Sequence, residues 1–507
     1  MKKLLFIFVL LLLCLIPAFL GIFHPGFFQT DDGSWMIIRL SAFYEALRYG
    51  QFPVRFLPRL YNGYGYPVAD FLYPLFLYLG SFIHIFRINF TWTIKILFAL
   101  SLFASSVGTY LWLKKHFTTI SAFVGSLVFT LFPYHLWDIT KRGSLGEVLA
   151  LGIVPFIFWQ IDDNNVFFTA LFIGLLILSH NTLALLFLPI IIVYMLLQRK
   201  FLFTGIALVF GLGLTTFFWF PALYDEKYVV FGKTVVANFS QYFLTNDLYS
   251  LIGIVSFFVL LFSMYGVIKK SSYFFIFFLC AALISLTLTT KVTTPIWQIL
   301  HLGKYVQFPF RFLSITALCI GFLAAQIINN TKKSQQIFIG GIILILLFVS
   351  SYQFFFAKTY QQYPDTFYST NEDTTTVQNE YLPLWVEKLP TTSTPKITAP
   401  KTTQISDVSL KGSTLSFVAN SASSSQLLIS FVYYPGWYAF VDTNRAKIMY
   451  NNPYGFMQIT VPQGMHMVRL FFGETPIRQI ADIISLVFLI IFLGLCIFIR
   501  KKIWKFL

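Results

Sequence analysis

The sequence is poor in charged residues and in cysteine. Aspartate and glutamate together number 20 in 507 residues, and charged residues of all kinds make up 11% of the chain. Soluble globular domains carry about a quarter charged residues, so an ordinary soluble domain is excluded. The four cysteines all lie in apolar runs, at Cys14, Cys280, Cys319 and Cys496. The polar regions therefore have no disulfide framework and no thiol zinc site.

Metal-binding and nucleic-acid-binding patterns are lacking as well. The sequence has no HExxH motif and no pair of histidines at the spacing of a strong metal site. Its formal net charge is +16, but the lysines and arginines sit in pairs between apolar runs. A nucleic-acid-binding protein would instead gather them on one basic face, so nucleic acid is not an expected partner.

Apolar sequence is what the chain has in abundance. Hydrophobic residues make up 57% of it, and the mean hydropathy is +0.73. Windows of about 20 apolar residues, enough to cross a hydrocarbon core of about 30 Å, recur along most of its length. The sequence therefore predicts a polytopic membrane protein. The candidate spans are residues 4–23, 93–113, 118–137, 145–160, 166–180, 182–197, 201–221, 249–268, 273–290, 310–328, 335–357 and 479–499.

The orientation of these spans follows from the basic residues, which cytoplasmic loops retain. Twelve spans with both termini in the cytoplasm put every basic cluster on the cytoplasmic side. The clusters are Lys2-Lys3, Lys114-Lys115, Arg199-Lys200, Lys269-Lys270, Lys332-Lys333 and the tail RKKIWK from Arg500. The basic start and apolar core of the N-terminus also fit a cleaved signal peptide. Because the run is long and ends without an A-x-A site, an uncleaved first span is favoured.

The count of twelve requires that the apolar segment 71–86 does not cross the membrane. As a helix its 16 residues would reach only about 24 Å, and Pro74 interrupts its start. We therefore expect a re-entrant or interfacial segment, which makes residues 24–92 one large outer loop. Within that loop, residues 34–50 carry apolar side chains on one helical face and Arg39, Ser41, Glu45 and Arg48 away from it. This pattern predicts an amphipathic helix lying on the membrane.

The composition changes between Lys358 and Pro476. Thr, Ser and Gln become frequent, and period-two alternation appears in SLKGSTLSFVAN and QITVPQGMHMVRLFF. The predicted fold is thus an all-α polytopic membrane bundle of about 12 transmembrane helices with an extracytoplasmic β-sandwich before the last helix. The predicted domains are a transmembrane module at 1–357, a β-rich domain at 358–476, and a final transmembrane helix with a basic cytoplasmic tail at 477–507.

Two adjacent acids, Asp31 and Asp32, stand just after the first span in QTDDGSW. An aspartate at this place can cap the following helix, whose dipole favours negative charge. It can also act as a general base, because adjacent carboxylates repel and the pKa of one of them can rise toward the working range. Consecutive side chains rarely point the same way, so one aspartate could cap while the other acts.

The segment RFLPRLYNGYGYPVADFLYP contains Arg55, Arg59, Tyr64 and Asp70. Gly, Pro and Tyr in this density are typical of an ordered surface loop. The same residues could form a sugar or phosphate site, with tyrosine as a stacking platform and arginine as an anion clamp. Composition leaves both interpretations open.

Further polar residues fall at the predicted outer ends of spans: Arg142, Glu147, His180, Asn181 and Arg311. A carboxylate one turn into a span, like Glu147, is costly unless it is paired or lines a polar cavity. Arg142 could pair with it or bind a phosphate. His180 could be a satisfied structural group or a ligand. Arg311 could extend to the lipid headgroups or contact a leaving phosphate.

These features together resemble the GT-C superfamily of membrane glycosyltransferases. More narrowly, GYGYPVADFLYP, PYHLWDITKRGSLGEVLA, LSHNTLAL, FFWFPALYDEKYV, QFPFRFL, EYLPLW and YPGWYAFVD resemble bacterial membrane proteins labelled 6-pyruvoyl-tetrahydropterin synthase-related, and proteins that glycosylate lipoteichoic acid. The resemblance implies that Asp31 or Asp32 occupies the catalytic-aspartate position. It also implies that Arg142 and Glu147 match an RG-x-x-x-E segment. The pterin label implies no chemistry, since the zinc-binding histidine cluster is missing.

The expected function is transfer of a sugar from a polyprenyl-phosphate carrier to a glycan, lipid or protein acceptor on the outer face of a bacterial plasma membrane. One aspartate would deprotonate the acceptor hydroxyl, with inversion at the sugar, and Arg142, Arg59 or Arg311 would stabilise the departing phosphate. No cofactor is certain. The resemblance leaves a divalent metal possible, but the sequence has no clear second acidic motif like the one that oligosaccharyltransferases use with a metal. The alternatives are a lipid or glycan transporter or flippase, and a non-catalytic envelope protein.

Overall fold

A bundle of helices, a β-rich region and a last long helix follow one another along the chain. The structure is a computed structural model and describes residues 2–233, 239–245, 249–267, 272–390 and 394–504. Its helices are α1 Lys2–Cys14, α2 Ile16–Ile22, α3 Gly33–Arg48, α4 Leu75–His84, α5 Phe90–Leu113, α6 Thr119–Thr130, α7 Pro133–Trp137, α8 Leu145–Asp162, α9 Val166–Ser179, α10 Asn181–Leu197, α11 Phe201–Leu214, α12 Thr216–Asp225, α13 Gly253–Val267, α14 Tyr273–Leu288, α15 Thr294–Ile299, α16 Leu302–Tyr305, α17 Leu313–Asn329, α18 Gln336–Ser351, α19 Asp365–Ser369 and α20 Pro476–Trp504.

Every one of the candidate spans overlaps at least one of these helices. Within the described residues, five helices are long and apolar enough to cross a membrane, and up to nine if each bent helix pair counts as one span. Helices α9, α10 and α13 are apolar but shorter. A mostly helical membrane protein is therefore confirmed, whereas the count of twelve spans stays a prediction. The basic pair Lys269-Lys270 lies outside the described residues.

Several spans that the sequence predicted as continuous are bent. The pair α11–α12 bends by 70°, and α1–α2 bends by 52°. At the first of these bends, Thr215 Oγ1 donates to the Gly211 carbonyl 2.9 Å away. A threonine that bonds back to the preceding turn competes with the backbone ladder and bends helices. Hydropathy does not report this, because a bent pair and a straight helix have the same composition.

The helix predicted within the outer loop forms as α3, and its position on the membrane surface stays a prediction, but two residues of its predicted polar face are not exposed. Arg39 and Ser41, assigned to the polar face, are both buried. Arg39 Nε donates to Thr375 Oγ1 at 2.9 Å, and Ser41 Oγ donates to the Tyr368 carbonyl at 3.2 Å. The chain that follows α18 therefore covers the polar face of α3, a contact over more than 300 residues that no local pattern reports.

The interfacial segment of the same loop contains α4, with 10 residues. Such a helix reaches about 15 Å at 1.5 Å per residue, half the thickness of a hydrocarbon core. Leu40 of α3 packs against Gly80 of α4, where a Cβ would come within 2.7 Å of the leucine methyl. The outer loop is thus a packed layer over the bundle.

The β-rich region predicted before the last helix is confirmed. Its strands are β3 Ile397–Thr398, β4 Thr403–Lys411, β5 Thr414–Ser421, β6 Ser425–Val432, β7 Trp437–Val441, β8 Asn444–Ala446, β9 Phe456–Val461 and β10 Gly464–Phe472. They form a five-stranded sheet, β4-β5-β10-β7-β8, and a three-stranded sheet, β3-β6-β9. Inward side chains of both sheets, such as Leu470 and Ile459, share one apolar cluster. A short pair, β1 Phe27–Phe28 with β2 Tyr360–Gln361, joins the two ends of the bundle.

Candidate functional site

The segment that contains Asp31 and Asp32 is held by backbone hydrogen bonds to the turn before α8. Asp31 N–H donates to the Lys141 carbonyl at 3.0 Å, and Asp32 N–H donates to the Arg142 carbonyl at 2.8 Å. The next residue of that turn, Gly143, has φ +67° and lies against Thr30. A Cβ at Gly143 would come within 2.3 Å of Thr30 Oγ1, so the close approach of the two segments requires glycine.

Neither aspartate caps α3 through its side chain, so the capping hypothesis is wrong. Asp32 occupies the N-cap position without a side-chain hydrogen bond to the helix. Thr30 Oγ1 instead accepts from Gly33 N–H at 3.0 Å. Asp31 points to solvent and pairs with Lys141 at 2.8 Å, with both side chains more than half exposed. The structure thereby distinguishes the two acids, which the sequence could not do.

Glu147 lies at the centre of a buried charge cluster beneath this segment. Its Oε1 is 2.5 Å from Arg142 Nη1 and 2.8 Å from Arg311 Nε. Its Oε2 accepts from the Tyr134 hydroxyl at 3.0 Å. Arg142 Nη1 also donates to Asp138 Oδ1 at 3.0 Å. The cluster therefore contains two buried acids, Glu147 and Asp138, and two buried arginines, Arg142 and Arg311. Buried charges in a nonpolar interior are normally paired in this way.

Local sequence explains part of this cluster. Residues Asp138–Arg142 form a π-helical turn, and Gly143 ends it in the left-handed conformation. This turn brings Arg142 back toward the first turn of α8, where Glu147 lies. Arg311 comes from the turn that begins the helix predicted at 310–328. It is buried against Glu147, so the interpretation of Arg311 as a side chain that extends to lipid headgroups is wrong.

Asp32 is the carboxylate at the rim of the cluster. Its Oδ2 lies 3.9 Å from Arg142 Nη2, which is beyond a hydrogen bond. Its side chain is 31% exposed, whereas Glu147 is fully buried. Among the described residues no side chain donates a hydrogen bond to the Asp32 carboxylate. It therefore combines access to solvent with proximity to a buried arginine.

His180 and Tyr73 border the same cluster. His180 Nδ1 accepts from Leu183 N–H at 3.2 Å, which assigns the ring proton to Nε2, and Nε2 is 3.7 Å from Glu147. The Tyr73 ring lies 4.6 Å from the His180 ring. Burial raises the pKa of the Tyr73 phenol, which keeps it neutral. Asn181 is exposed and donates to the Phe71 carbonyl at 3.3 Å, outside the cluster.

Arg55 and Asp70 belong to a second buried cluster instead. Arg55 lies 3.5 Å from Asp70, 3.2 Å from Glu474 and 3.0 Å from Asp482. Arg478, at the start of α20, contacts Asp70 at 3.1 Å and Asp225 at 2.8 Å. The Tyr434 hydroxyl donates to Asp70 as well. This second cluster ties the outer loop to α12, the β-rich region and the last helix.

Arg59 and Tyr64 lie in a third place, against the chain that precedes the β strands. Arg59 contacts Glu45 at 3.1 Å and donates to the Asn371 carbonyl at 3.2 Å. The Tyr64 hydroxyl accepts from Thr394 N–H at 3.2 Å. Apart from Asp31 and Asn181, the predicted site residues thus lie in three places, and Asp32, Arg142, Glu147, His180 and Arg311 are together in one of them.

Sequence reasoning missed three members of that group, Tyr73, Tyr134 and Asp138. Tyr134 and Asp138 stand in the quoted segment PYHLWDITKRGSLGEVLA, one helical turn apart, and that spacing was an available signal. Tyr73 gave no such signal. Over the described ranges, no group of three or more His, Cys, Asp or Glu side chains could hold a metal ion.

Comparison with known families identifies the chain. A profile of the 6-pyruvoyl-tetrahydropterin synthase related domain, described as a membrane protein, matches residues 70–357, more than half of the chain. The chain belongs to this 6-pyruvoyl-tetrahydropterin synthase-related family of membrane proteins. The matched region contains Arg142, Glu147, His180 and Arg311, whereas Asp32 precedes it.

Other similarities are weaker. An uncharacterized protein of Lactococcus lactis subsp. cremoris (strain MG1363) is 25% identical over 264 residues, which are 47% of this chain and 42% of that protein. The chain thus spans less than half of this relative. Two solved structures of the arabinofuranosyltransferase AftD from Mycobacteria, one of them the R1389S variant, are similar at 13% and 15% identity, with TM-scores of 0.47 and 0.45. They cover 69% of this chain and 26% and 27% of AftD. Similarity at this level does not carry AftD's activity over to this family member.

Proposed function

We propose that this protein is a membrane glycosyltransferase in which Asp32 is the general base. The observation that carries the proposal is the unengaged, partly exposed Asp32 carboxylate 3.9 Å from Arg142, at the rim of a buried cluster that holds two arginines. A base must reach both solvent and the reacting hydroxyl, and a preorganised cation must stand where negative charge develops. Asp31 lacks this neighbourhood, because its partner is the exposed Lys141.

The reaction is a single displacement with inversion. The acceptor hydroxyl gives its proton to the Asp32 carboxylate while its oxygen forms a bond to the anomeric carbon of the donor sugar. The bond from that carbon to the phosphate oxygen breaks, and polyprenyl phosphate leaves with the bonding electrons. Arg142 Nη2, which is too far from Asp32 for a hydrogen bond, is available to a phosphate oxygen of the donor. Stabilisation of the departing phosphate by a fixed guanidinium is the electrostatic contribution to the rate.

An apolar groove that includes Phe312 in its lining supports a lipid-linked donor. The groove has a volume of about 330 Å³ and lies between α10, α14 and α17. Leu185, Leu288 and Phe312 contribute to its lining, and Phe312 is the neighbour of Arg311 in the chain. A polyprenyl chain in this groove would place its phosphate next to the arginine cluster. From α17 the groove is lined near the end that the basic-residue pattern assigns to the outer leaflet, and from α14 it is lined along most of the helix.

The proposal includes the topology on which it depends. Twelve spans put both termini in the cytoplasm and the candidate site on the outer face of a bacterial plasma membrane. The two sheets then pack as a sandwich on the outer side, in a domain at 358–476. The acceptor is a glycan, lipid or protein at that face.

The test compares the two adjacent aspartates one at a time. A strain that lacks the gene is complemented with wild type, Asp32→Asn or Asp31→Asn, and the sugar substituents of its envelope polymers are measured by mass spectrometry. Loss of a general base typically costs a factor of about 10²–10⁴, so Asp32→Asn should lose the modification. Asp31→Asn should keep most of it. Thermal unfolding in detergent checks that both variants are folded.

Two outcomes contradict this assignment. Full modification by folded Asp32→Asn would exclude Asp32 as the base. Full modification by the double variant Asp31→Ala with Asp32→Ala would show that neither aspartate is the general base. If the deletion strain itself loses no sugar, the transferase function is wrong.

A further inference from the structure

The outward face of the five-stranded sheet carries aromatic rings where polar residues are expected. In β7 the burial alternates, so that Trp437, Ala439 and Val441 point into the core and Tyr438 and Phe440 point out. A one-sided antiparallel sheet normally shows polar residues on its solvent face. Strand β5, which pairs with β10 on the side away from β7, has Thr414 and Ser416 on this face. The aromatic residues are therefore a local feature of β7 and β10.

Strand pairing brings three rings together on this face. Phe471 of β10 is paired with Tyr438, and Arg469 is paired with Phe440. The Tyr438 and Phe471 rings are 5.5 Å apart at 23°, and the Phe440 and Phe471 rings are 6.0 Å apart at 5°. The Tyr438 hydroxyl is fixed by donation to the Glu474 carbonyl at 2.9 Å. We call the surface formed by Tyr438, Phe440 and Phe471 the aromatic face.

Guanidinium groups stand over two of these rings. Arg445 lies 5.0 Å from the Tyr438 ring centre, and Arg469 lies 5.4 Å from that of Phe471. Cross-strand aromatic pairs that only stabilise a sheet need no cations beside them. An arginine held over a ring has a fixed position and free N–H groups for an anion. The aromatic face thus combines flat apolar surface with placed positive charge.

Two cavities border the aromatic face. One, of about 380 Å³, is lined by Tyr438, Arg445 and Lys447 and also by the inward-facing Trp437 and Ala439, so it lies at the β8 edge of the sheet. The other, of about 350 Å³, is lined by Phe440, Phe471 and Arg469 together with Asp442. Both volumes lie in the range of small-ligand sites. Asp442 is itself engaged by His466 at 2.7 Å, so the balance of unpaired charge is positive.

We propose that the aromatic face binds an anionic glycan. Sugar rings present a face of C–H groups that packs on aromatic rings, and phosphate or carboxylate substituents would meet Arg445, Arg469 and Lys447. The cavity beside Phe440 and Phe471 and the cavity at the β8 edge of the sheet give room for successive residues of a chain. The binding site does not depend on the transfer reaction proposed above, and it would hold the glycan whether or not the glycan is the acceptor.

The test measures binding of defined saccharides to the full chain in phosphatidylcholine discs by calorimetry. The probes are maltohexaose that carries phosphate groups, unmodified maltohexaose, and inorganic polyphosphate. The phosphorylated saccharide should bind more tightly than either of the others, because only it offers both sugar rings and charge. Its affinity should fall as salt rises.

Variants then separate rings from charge. Phe440→Ala with Phe471→Ala should weaken binding at least about tenfold, because two ring contacts are lost. Arg445→Gln with Arg469→Gln should weaken it and remove most of the salt dependence. Val408→Ala, an exposed apolar residue on the edge strand of the same sheet, is the matched control and should change nothing. None of the varied residues is in the apolar core, and thermal unfolding checks each variant.

Three results would overturn the proposal. Equal binding of polyphosphate would mean that charge alone is recognised. Unchanged affinity in the double phenylalanine variant would mean that the rings are not used. The third result is that no saccharide binds at millimolar concentration while the protein retains phosphatidylglycerol. If the same four substitutions abolish that lipid binding, the face binds membrane lipid instead.

Discussion

Two buried charge clusters in this protein have similar composition but leave different groups unengaged. In the cluster around Arg478, the partly exposed carboxylates Glu474 and Asp482 are both held by Arg55, at 3.2 and 3.0 Å. In the cluster around Glu147, the partly exposed carboxylate is Asp32, and its nearest arginine nitrogen is 3.9 Å away. The first arrangement joins separate parts of the fold, whereas the second keeps one acid available.

This difference shows that buried charge by itself does not identify a functional site. Both clusters are buried and both contain two arginines, so their composition is not diagnostic. What separates them is whether every carboxylate has a direct partner. An acid that an arginine contacts directly stabilises the fold, since breaking such a pair leaves a charge buried without compensation. An acid at the rim with solvent access can exchange a proton with a substrate.

The largest expected difference between the two clusters follows from replacing one arginine of each cluster by lysine and measuring transfer and stability. Arg142→Lys should lower transfer by about 10²–10³, because a lysine cannot serve Glu147, Asp138 and a phosphate at once. Arg55→Lys, the matched change in the other cluster, should lower thermal stability without a selective loss of transfer per folded molecule. Equal losses of specific activity in the two variants would remove the functional distinction between the clusters.

Gly143→Ala tests whether the segment of Asp32 must be clamped to the turn of Arg142. The φ of +67° costs an alanine about 1–2 kcal/mol, and its Cβ would meet Thr30 Oγ1 at 2.3 Å. We expect a moderate loss of stability and a larger loss of transfer, because Asp32 is displaced from Arg142. Gly205→Ala, where nothing lies within 4 Å, is the control. A stable, fully active Gly143→Ala would show that the clamp is not needed.

The smallest expected effect is a pH dependence of the Arg478 cluster. Burial raises the pKa of Glu474 above its ordinary value of 4.5, and its Oε2 is buried without a partner among the described residues. A carboxyl whose pKa is raised in the folded state contributes stability below its unfolded pKa, and this stability is lost as the pH rises through the folded pKa. Relative to Glu474→Gln, the wild type should therefore gain stability as the pH falls from 7 toward 4.5.

Thermal unfolding of both proteins across this pH range measures the effect. The difference between their midpoints should shift in favour of the wild type as the pH falls, because the pKa of Glu474 is raised in the folded state. A difference that stays constant with pH, or that grows in favour of Glu474→Gln on acidification, would contradict the assigned direction. The Glu474→Gln substitution should leave the ion pairs of the Glu147 cluster unchanged, since Glu474 belongs to the other cluster.

Part of the candidate site was predictable from sequence because it is local. Arg142 and Glu147 stand five positions apart across a glycine turn, and this spacing is compatible with the ion pair that the structure shows. Arg311 pairs with the same glutamate from 164 positions away, and Arg478 reaches Asp70 over 408 positions. Such pairings depend on how helices pack, which hydropathy and spacing do not encode. For the same reason Arg55 and Asp70 looked like candidate ligands, although the structure engages them in the second cluster.

The sequence by itself determined that this is a membrane protein of many apolar helices with a β-rich region before the last one. Those features can be read from neighbouring residues. A span needs about 20 consecutive apolar residues, and a strand with one buried face needs alternating apolar and polar residues. It also placed two acids after the first span. Only the tertiary structure decided that Asp31 faces Lys141 and Asp32 faces Arg142, because that choice depends on backbone bonds between segments more than 100 residues apart.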